Sequence, residues 1–174
     1  MISLIVACDE ARGIGYQNQI PWFIPGELAW VRKTTQPTTD PTKQNALIMG
    51  YQTWLSLPES RRPLPGRRSI VLSRTQTVDT QGVVTCRSLE DALALAQNDP
   101  AIERIFVFGG ASVYAEALSK GLVDEVLISQ VPGQHTADAF FPELPDDFSL
   151  QQDEPAQYGE VVVRHQLWRR GGRK

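Results

Sequence analysis

The feature that most limits how this chain can fold is its first strand-length segment, Ile2 to Cys8 (ISLIVAC). A near-continuous apolar run of this length cannot alternate between core and solvent. It is expected as a central strand, buried on both faces of a sheet. Three further segments support that reading. Ala46 to Met49 and Arg104 to Phe108 read as strands that stop at glycine and pass into helical patterns, Gly50 to Leu57 and ASVYAEALSK. Ser69 to Ser73 is another expected strand. Pro25 is expected to open a helix over GELAWVRKTT, with Glu27 favourable in its first turn. Ser88 and Asp91 resemble a capping box ahead of the helix SLEDALALAQ. Glu116 and Lys120 are spaced to pair along the next helix. Val123 to Val131, Phe148 to Gln152 and Glu160 to Trp168 read as closing strands. Strands alternate with helices and then run together. The expected class is therefore α/β, a mostly parallel sheet with an antiparallel C-terminal edge.

Loops at Gly13 to Trp22 (GIGYQNQIPW), Gly50 and Gly109 all leave expected strand ends, where open α/β sheets bind ligands. One expected domain spans residues 1–174, with no internal repeat. The formal charge of -3 gives no general attraction for nucleic acid, so an anionic ligand would need a local basic cluster. Cys8 and Cys86 have neither metal nor disulfide spacing, and two histidines are too few for a typical histidine-based metal site, so no metal is expected. The N-terminal apolar run is short of the ~18 residues of a membrane helix. It has no basic leader, and a cytoplasmic protein without membrane association is expected.

Three features carry chemistry. Glu27 borders a helical stripe with Leu28 and Val31. A carboxylate beside apolar groups resists ionisation, which suits proton chemistry or pairing with an N–C–NH2 edge. Taken alone, a first-turn Glu more often just complements the helix dipole. Next, FVFGGASVY (Phe106 to Tyr114) joins a strand to a helix through two glycines. Such a turn lets backbone approach a ligand and presents N–H groups to phosphate, although a plain tight turn is an equal reading. IMGYQTW (Ile48 to Trp54) repeats the arrangement, so two turns could hold a pyrophosphate. Last, Arg61, Arg62, Arg67, Arg68 and Arg74 form a basic set whose forks match carboxylate and phosphate; a solvated turn is expected for Arg61 and Arg68. Trp22 and Tyr114 could shield a planar ligand or simply fill the core.

From Ile2 to Trp168 the chain resembles the dihydrofolate reductase family. The matching blocks are GIGYQNQIPW, PGELAWVRKTT, IMGYQTW, RPLPGRRSIVLSR, FVFGGASVYAEAL and ADAFFPEL, in the family's order and spacing. The resemblance implies a dihydrofolate reductase-like sheet of about eight strands flanked by about four helices. It implies NADPH as cofactor, a small folate substrate, antifolate inhibitors and a monomer.

The site residues follow from the same resemblance. Glu27 would bind the pterin N3 and 2-amino group and support protonation at N5, and Trp22 would order a water beside it. Ile5, Ala7, Leu28, Val31, Leu57 and Leu64 would line the substrate pocket. Arg67 would clamp the substrate glutamate, with Arg32 and Arg62 nearby, and Ser129 would hydrogen-bond the carboxylate. Ala7 and Ile14 would meet the nicotinamide carboxamide. Gly15, Asn18 and Ile20 belong to a lid from Asp9 to Ile24 that would close over it. Gly50, Gln52, Thr53, Phe108, Gly109, Gly110, Ala111, Ser112, Val113 and Tyr114 would hold the phosphates and the nicotinamide half. Leu72, Ser73, Arg74 and Arg87 would face the adenosine end and its 2′-phosphate. A cis peptide is expected between Gly109 and Gly110.

Four positions depart from the family pattern: Val31 for an aromatic, Ser129 for Thr, Tyr51 for a basic residue and Ala139 for Thr. Glu27, Ser129 and the tail HQLWRRG are similar to mobile bacterial members that tolerate trimethoprim. The segment Thr38 to Gln44 and the block SLPESRRPLPGR look more like the longer vertebrate members. Reduced trimethoprim sensitivity is one expectation. A related pterin or pyrimidine reductase, or a folate- or nucleotide-binding protein without turnover, stays open on sequence alone.

Overall fold

The computed structural model describes residues 1–172. Its main sheet has eight strands: β1 (Ile2–Cys8), β3 (Gln44–Gly50), β4 (Arg67–Leu72), β5 (Val84–Cys86), β6 (Ile102–Gly109), β7 (Glu125–Gln130), β9 (Phe148–Tyr158) and β10 (Val161–Arg170). They lie in the order β5-β4-β3-β6-β1-β7-β10-β9; β10 runs antiparallel to both of its neighbours, so the edge strand β9 points the same way as the other six. A two-stranded sheet joins β2 (Gly13–Gly15) to β8 (Ala139–Phe140). The helices are α1 (Glu27–Thr35), α2 (Tyr51–Ser56), α3 (Leu89–Asn98) and α4 (Ala111–Ser119).

The pleat divides the apolar strands between two cores. Leu4, Val6 and Cys8 of β1 join Ile48, Val107 and the buried faces of α3 and α4 on one side of the sheet. Ile5 joins Leu47, Met49, Val71 and Phe106 on the other, under Trp30 and Val31 of α1 and Trp54 of α2. Neighbouring residues in a strand point to opposite faces, so a run apolar at nearly every position is what a two-sided core requires. Burial also pushes the Cys8 thiol up to about 12, which leaves it inert at neutral pH.

Several expected boundaries shift. Pro25 lies outside α1, because Gly26 caps the helix in the left-handed region at φ 90° and Glu27 is the first helical residue. Gly13 to Gly15, expected within a loop, pairs with Phe140 and Ala139. Strand β5 was not expected at all. Val123 to Val131 narrows to β7, whereas β9 runs six residues past the expected Gln152, through Pro155. That proline sits on the sheet edge, where a missing N–H leaves no partner unsatisfied. Only half of the expected capping box forms: the Asp91 N–H donates to Ser88 Oγ at 3.1 Å. The Glu116–Lys120 pair closes at 2.7 Å.

Because β1, β3 and β6 are parallel neighbours, the loops after Cys8, Gly50 and Gly109 leave the same sheet edge. Asn45 fixes the far end of α1 over that sheet. Its amide donates to the Thr35 and Pro37 carbonyls at 2.8 and 2.9 Å, and its oxygen accepts from the Arg104 N–H.

Candidate active site

Glu27 opens α1 and is only 2% exposed. No cation pairs with it among the described residues, and its Oε1 is buried without a hydrogen-bond partner. Burial raises its carboxyl above the ordinary 4.5, and the Ser129 hydroxyl pulls it back by a smaller amount. Ser129 faces the carboxylate from β7 but closes no hydrogen bond, and its own Oγ is likewise buried and unpartnered. Register explains the neighbourhood: Ala7 lies beside Ser129, and Ser129 opposite His165. Trp22 and Glu27 line one cleft of about 120 Å³ with Ile20, Phe23, Ile24 and Leu28. The Trp22 Nε1 is also buried and unpartnered. Buried polar atoms are nearly always satisfied, so three orphans around one carboxylate mark a place for a ligand or water. Leu28 is 61% exposed, so it borders the mouth of this cleft rather than a closed pocket. Val31, Leu57 and Leu64 are half-buried against the core that holds Ile5.

The opposite end of α1 carries the complementary charge. Arg67 is buried, donates through Nη1 to Thr35 Oγ1 at 3.0 Å and through Nε to the Pro65 carbonyl at 3.1 Å, and has no carboxylate partner among the described residues. Burial first, and then the charge of neighbouring Arg32, disfavours its protonated form. Arg32 itself is exposed and donates to Gln36. Arg62 is engaged elsewhere: it meets Glu59 at 3.5 Å and the Trp54 and Leu55 carbonyls, with its guanidinium over the Trp54 ring. Of the residues expected to be solvated, Arg61 is exposed, but Arg68 is half-buried in β4 with its Nε orphaned. Glu27 and Thr35 are the two ends of α1, so at 1.5 Å per residue the opposite charges stand roughly 12 Å apart along the helix.

The two glycine turns lie side by side. Met49 of β3 pairs with Gly109 of β6, and a Cβ on Gly50 would meet Val113 Cγ2 at 3.4 Å. A Cβ on Gly110 would meet Thr53 Oγ1 at a tight 3.2 Å, and Gly109 lies at φ 125°, a backbone region that favours glycine. The Gly109–Gly110 peptide is cis. No side chain caps α4 at Gly110 or α2 at Gly50, which leaves the first N–H groups of Ala111, Ser112 and Val113 and of Gln52 and Thr53 free for an anion. Phe108 is tied back to β1 through Tyr114, whose hydroxyl lies in hydrogen-bond reach of the Ile5 and Phe108 carbonyls. Along the next strand, Leu72 and Ser73 are half-buried, and Arg74 is exposed and makes no hydrogen bond or ion pair with a described residue. Arg87 instead ties down the loop, donating to the Ser73 and Gln76 carbonyls and to Thr77 Oγ1.

A model of the dihydrofolate reductase family matches residues 1–166. The chain belongs to the dihydrofolate reductase family. Membership makes it an oxidoreductase of one-carbon metabolism that reduces dihydrofolate to tetrahydrofolate. The chain is 43% identical over 148 residues to dihydrofolate reductase of Drosophila melanogaster, covering 84% of this chain and 81% of that one. It is 35% identical over 157 residues to the Aedes albopictus enzyme, covering 87% and 84%. A bifunctional dihydrofolate reductase-thymidylate synthase of Daucus carota is 38% identical over 149 residues, where the match spans 82% of this chain and 28% of that longer protein.

In this reductase the expected lid is anchored at several points. Tyr16 and Gln19 close a tight turn through Gln17 and Asn18, both at positive φ, and Asn18 and Ile20 are exposed. Gly15 accepts from the Asp138 N–H at 2.9 Å, and Ile14 packs on the core. Ala139 pairs with Gly15 across the small sheet. Sequence reasoning missed Asp9, Thr35 and His135. Asp9 ended an apolar run and His135 stood in a polar loop; nothing local signals that residues 126 positions apart meet.

Proposed function

We propose that this chain acts as one catalytic domain that binds dihydrofolate across α1, with Glu27 at the pterin end and Arg67 at the glutamate end. The observation that carries this reading is the pair of buried, opposite and mutually unpaired charges at the two ends of one helix. A ligand with an amidine-like edge and a carboxylate roughly 12 Å away satisfies both. Arg67 is presented by Thr35 and Pro65 so that a carboxylate meets a fixed fork. Ile5, Ala7, Leu28, Val31, Leu57 and Leu64 provide apolar contact between the ends.

NADPH is the proposed cofactor, and when bound it supplies the hydride. Gly50, Gln52, Thr53 and Gly109 to Tyr114 would hold its phosphates and nicotinamide half, and the free N–H groups and glycine surfaces there fit a pyrophosphate. Arg74 has no competing partner among the described residues and would meet a 2′-phosphate, whereas Arg87 would act by holding the Ser73 loop. Ala7 and Ile14 would offer backbone groups to the carboxamide, and Gly15, Asn18 and Ile20 would move with the lid that excludes water.

Glu27, with its raised pKa, holds the pterin edge and supports delivery of a proton toward N5. Ser129 tempers that shift, and the Trp22 Nε1 is free to hold a water at the same cleft. The test is the loss of NADPH absorbance on mixing with dihydrofolate. Oxidation that depends on dihydrofolate supports the reading. Binding of both ligands without oxidation would refute turnover at this site.

A further inference from the structure

We infer that His135 is a positioning residue for the reaction: Asp9 fixes its ring, and the ring buttresses Trp22 beside the Glu27 carboxylate. The inference rests on the proposed roles of Glu27 and Trp22.

Asp9 stands at the C-terminal end of β1, with its carboxylate fully buried. One oxygen accepts from the Ala11 and Gly13 N–H groups at 3.0 and 2.8 Å. The other accepts from the His135 N–H at 2.7 Å and faces His135 Nδ1 at 3.2 Å. Burial alone would raise this carboxyl, but the hydrogen bonds from His135, Gly13 and Ala11 together hold it below its ordinary value. An ionised carboxylate can only accept, so it fixes the proton on Nδ1 and sets the orientation of the ring. The space is closed on the other side as well, since a Cβ on Gly13 would lie 2.9 Å from the Ala137 Cβ and 3.2 Å from the Asp9 oxygens.

The oriented imidazole then meets the Trp22 indole edge-on, with ring centroids 5.3 Å apart and planes at 60°. Trp22 comes from the lid and His135 from the loop after β7, so this contact is where the second loop holds the first. Trp22 otherwise has no hydrogen bond with a described residue, and its Nε1 is orphaned in the cleft that Glu27 lines. Nothing but packing sets the indole's direction, and the His135 ring supplies an aromatic part of that packing. An edge-to-face pair shifts a side-chain equilibrium by about two- to tenfold. Losing it should therefore cost alignment at the carboxylate more than affinity at the Arg67 end.

Three variants separate ring from anchor. His135→Ala removes the ring and its Nδ1 contact while the backbone N–H to Asp9 stays, His135→Asn keeps a side-chain donor for Asp9 without a ring, and His135→Phe keeps a ring without the donor. Single-turnover hydride transfer, the steady-state KM for dihydrofolate and the thermal midpoint are measured for each, with Glu27→Gln alongside. The expected result for His135→Ala is about a three- to tenfold slower transfer with KM within about twofold. His135→Asn should recover the thermal midpoint but stay slow, and His135→Phe should recover part of the rate. A wild-type rate in His135→Ala or in His135→Asn would overturn the proposal. Undiminished turnover in Glu27→Gln would instead remove the active-site reading on which it rests.

Discussion

Replacing Glu27 with Gln should make the ligand-free protein more stable at high pH while it destroys function. The side chain keeps its size and loses only its charge. In the native state that charge is buried and, among the described residues, has no cation and leaves Oε1 without a donor. Gln keeps buried polar atoms but carries no charge to desolvate; leaving a buried group unsatisfied costs about 1–3 kcal/mol when neutral and more when charged, so a difference on the order of 1–3 kcal/mol is expected. For a chain of this length, each kcal/mol moves the thermal midpoint by roughly 2–4 °C, so a gain of roughly 2–12 °C is expected at pH 8. The sign of the pH dependence follows from burial, which raises the native pKa above the unfolded 4.5. Between those two values the native state binds more protons than the unfolded state, so wild-type stability falls as pH rises. Below the unfolded value both states carry the protonated acid, and the advantage of Gln should vanish. The assay is thermal unfolding of both proteins, without ligand, from pH 4 to pH 8. A Gln variant that is less stable at pH 8, or whose advantage does not change with pH, would refute the argument.

Arg67→Leu should raise the KM for dihydrofolate far more than it lowers kcat, and should leave a truncated pterin without the glutamate unaffected; equal harm to both substrates would show that Arg67 does not clamp the carboxylate. Arg74→Ala should erode the preference for NADPH over NADH, measured as the ratio of kcat/KM values, and because Tyr51 brings no charge the wild-type preference itself rests largely on Arg74; an unchanged ratio would exclude it. Trimethoprim should inhibit the wild type weakly, and Glu27→Asp or Val31→Phe should tighten inhibition, since ~50 Å² of lost apolar contact costs on the order of 1 kcal/mol, near tenfold in affinity. Tight wild-type inhibition that neither change alters would dispose of that reading.

The parts of the fold that rest on local pattern were readable from residues alone. ISLIVAC reads as a buried strand because both of its faces are apolar, and α3 is announced by Ser88 and its repeating Leu and Ala. Strand β5 escaped because three residues after a turn-rich stretch carry no period, and they become a strand only by pairing with β4. The pairing of Gly13–Gly15 with Ala139–Phe140 is likewise a contact between distant segments. At the candidate site, the sequence singles out Glu27 and Arg67, but that both are buried at opposite ends of α1, without an opposite charge among the described residues, needs the fold. Arg62 and Arg87 resemble Arg67 and Arg74 in sequence. Arg87 is set apart from Arg74 by donors committed to Ser73 and Gln76, and Arg62 from Arg67 by its ion pair with Glu59, where Arg67 meets no carboxylate among the described residues.

The most direct test is the pH dependence of single-turnover hydride transfer from NADPH to dihydrofolate in wild type and Glu27→Gln. If the buried carboxyl supports protonation, the wild-type rate falls as pH rises through its raised pKa. The Gln variant should then be roughly a hundredfold slower at neutral pH, with that titration gone. Superimposable profiles for the two proteins would contradict the account.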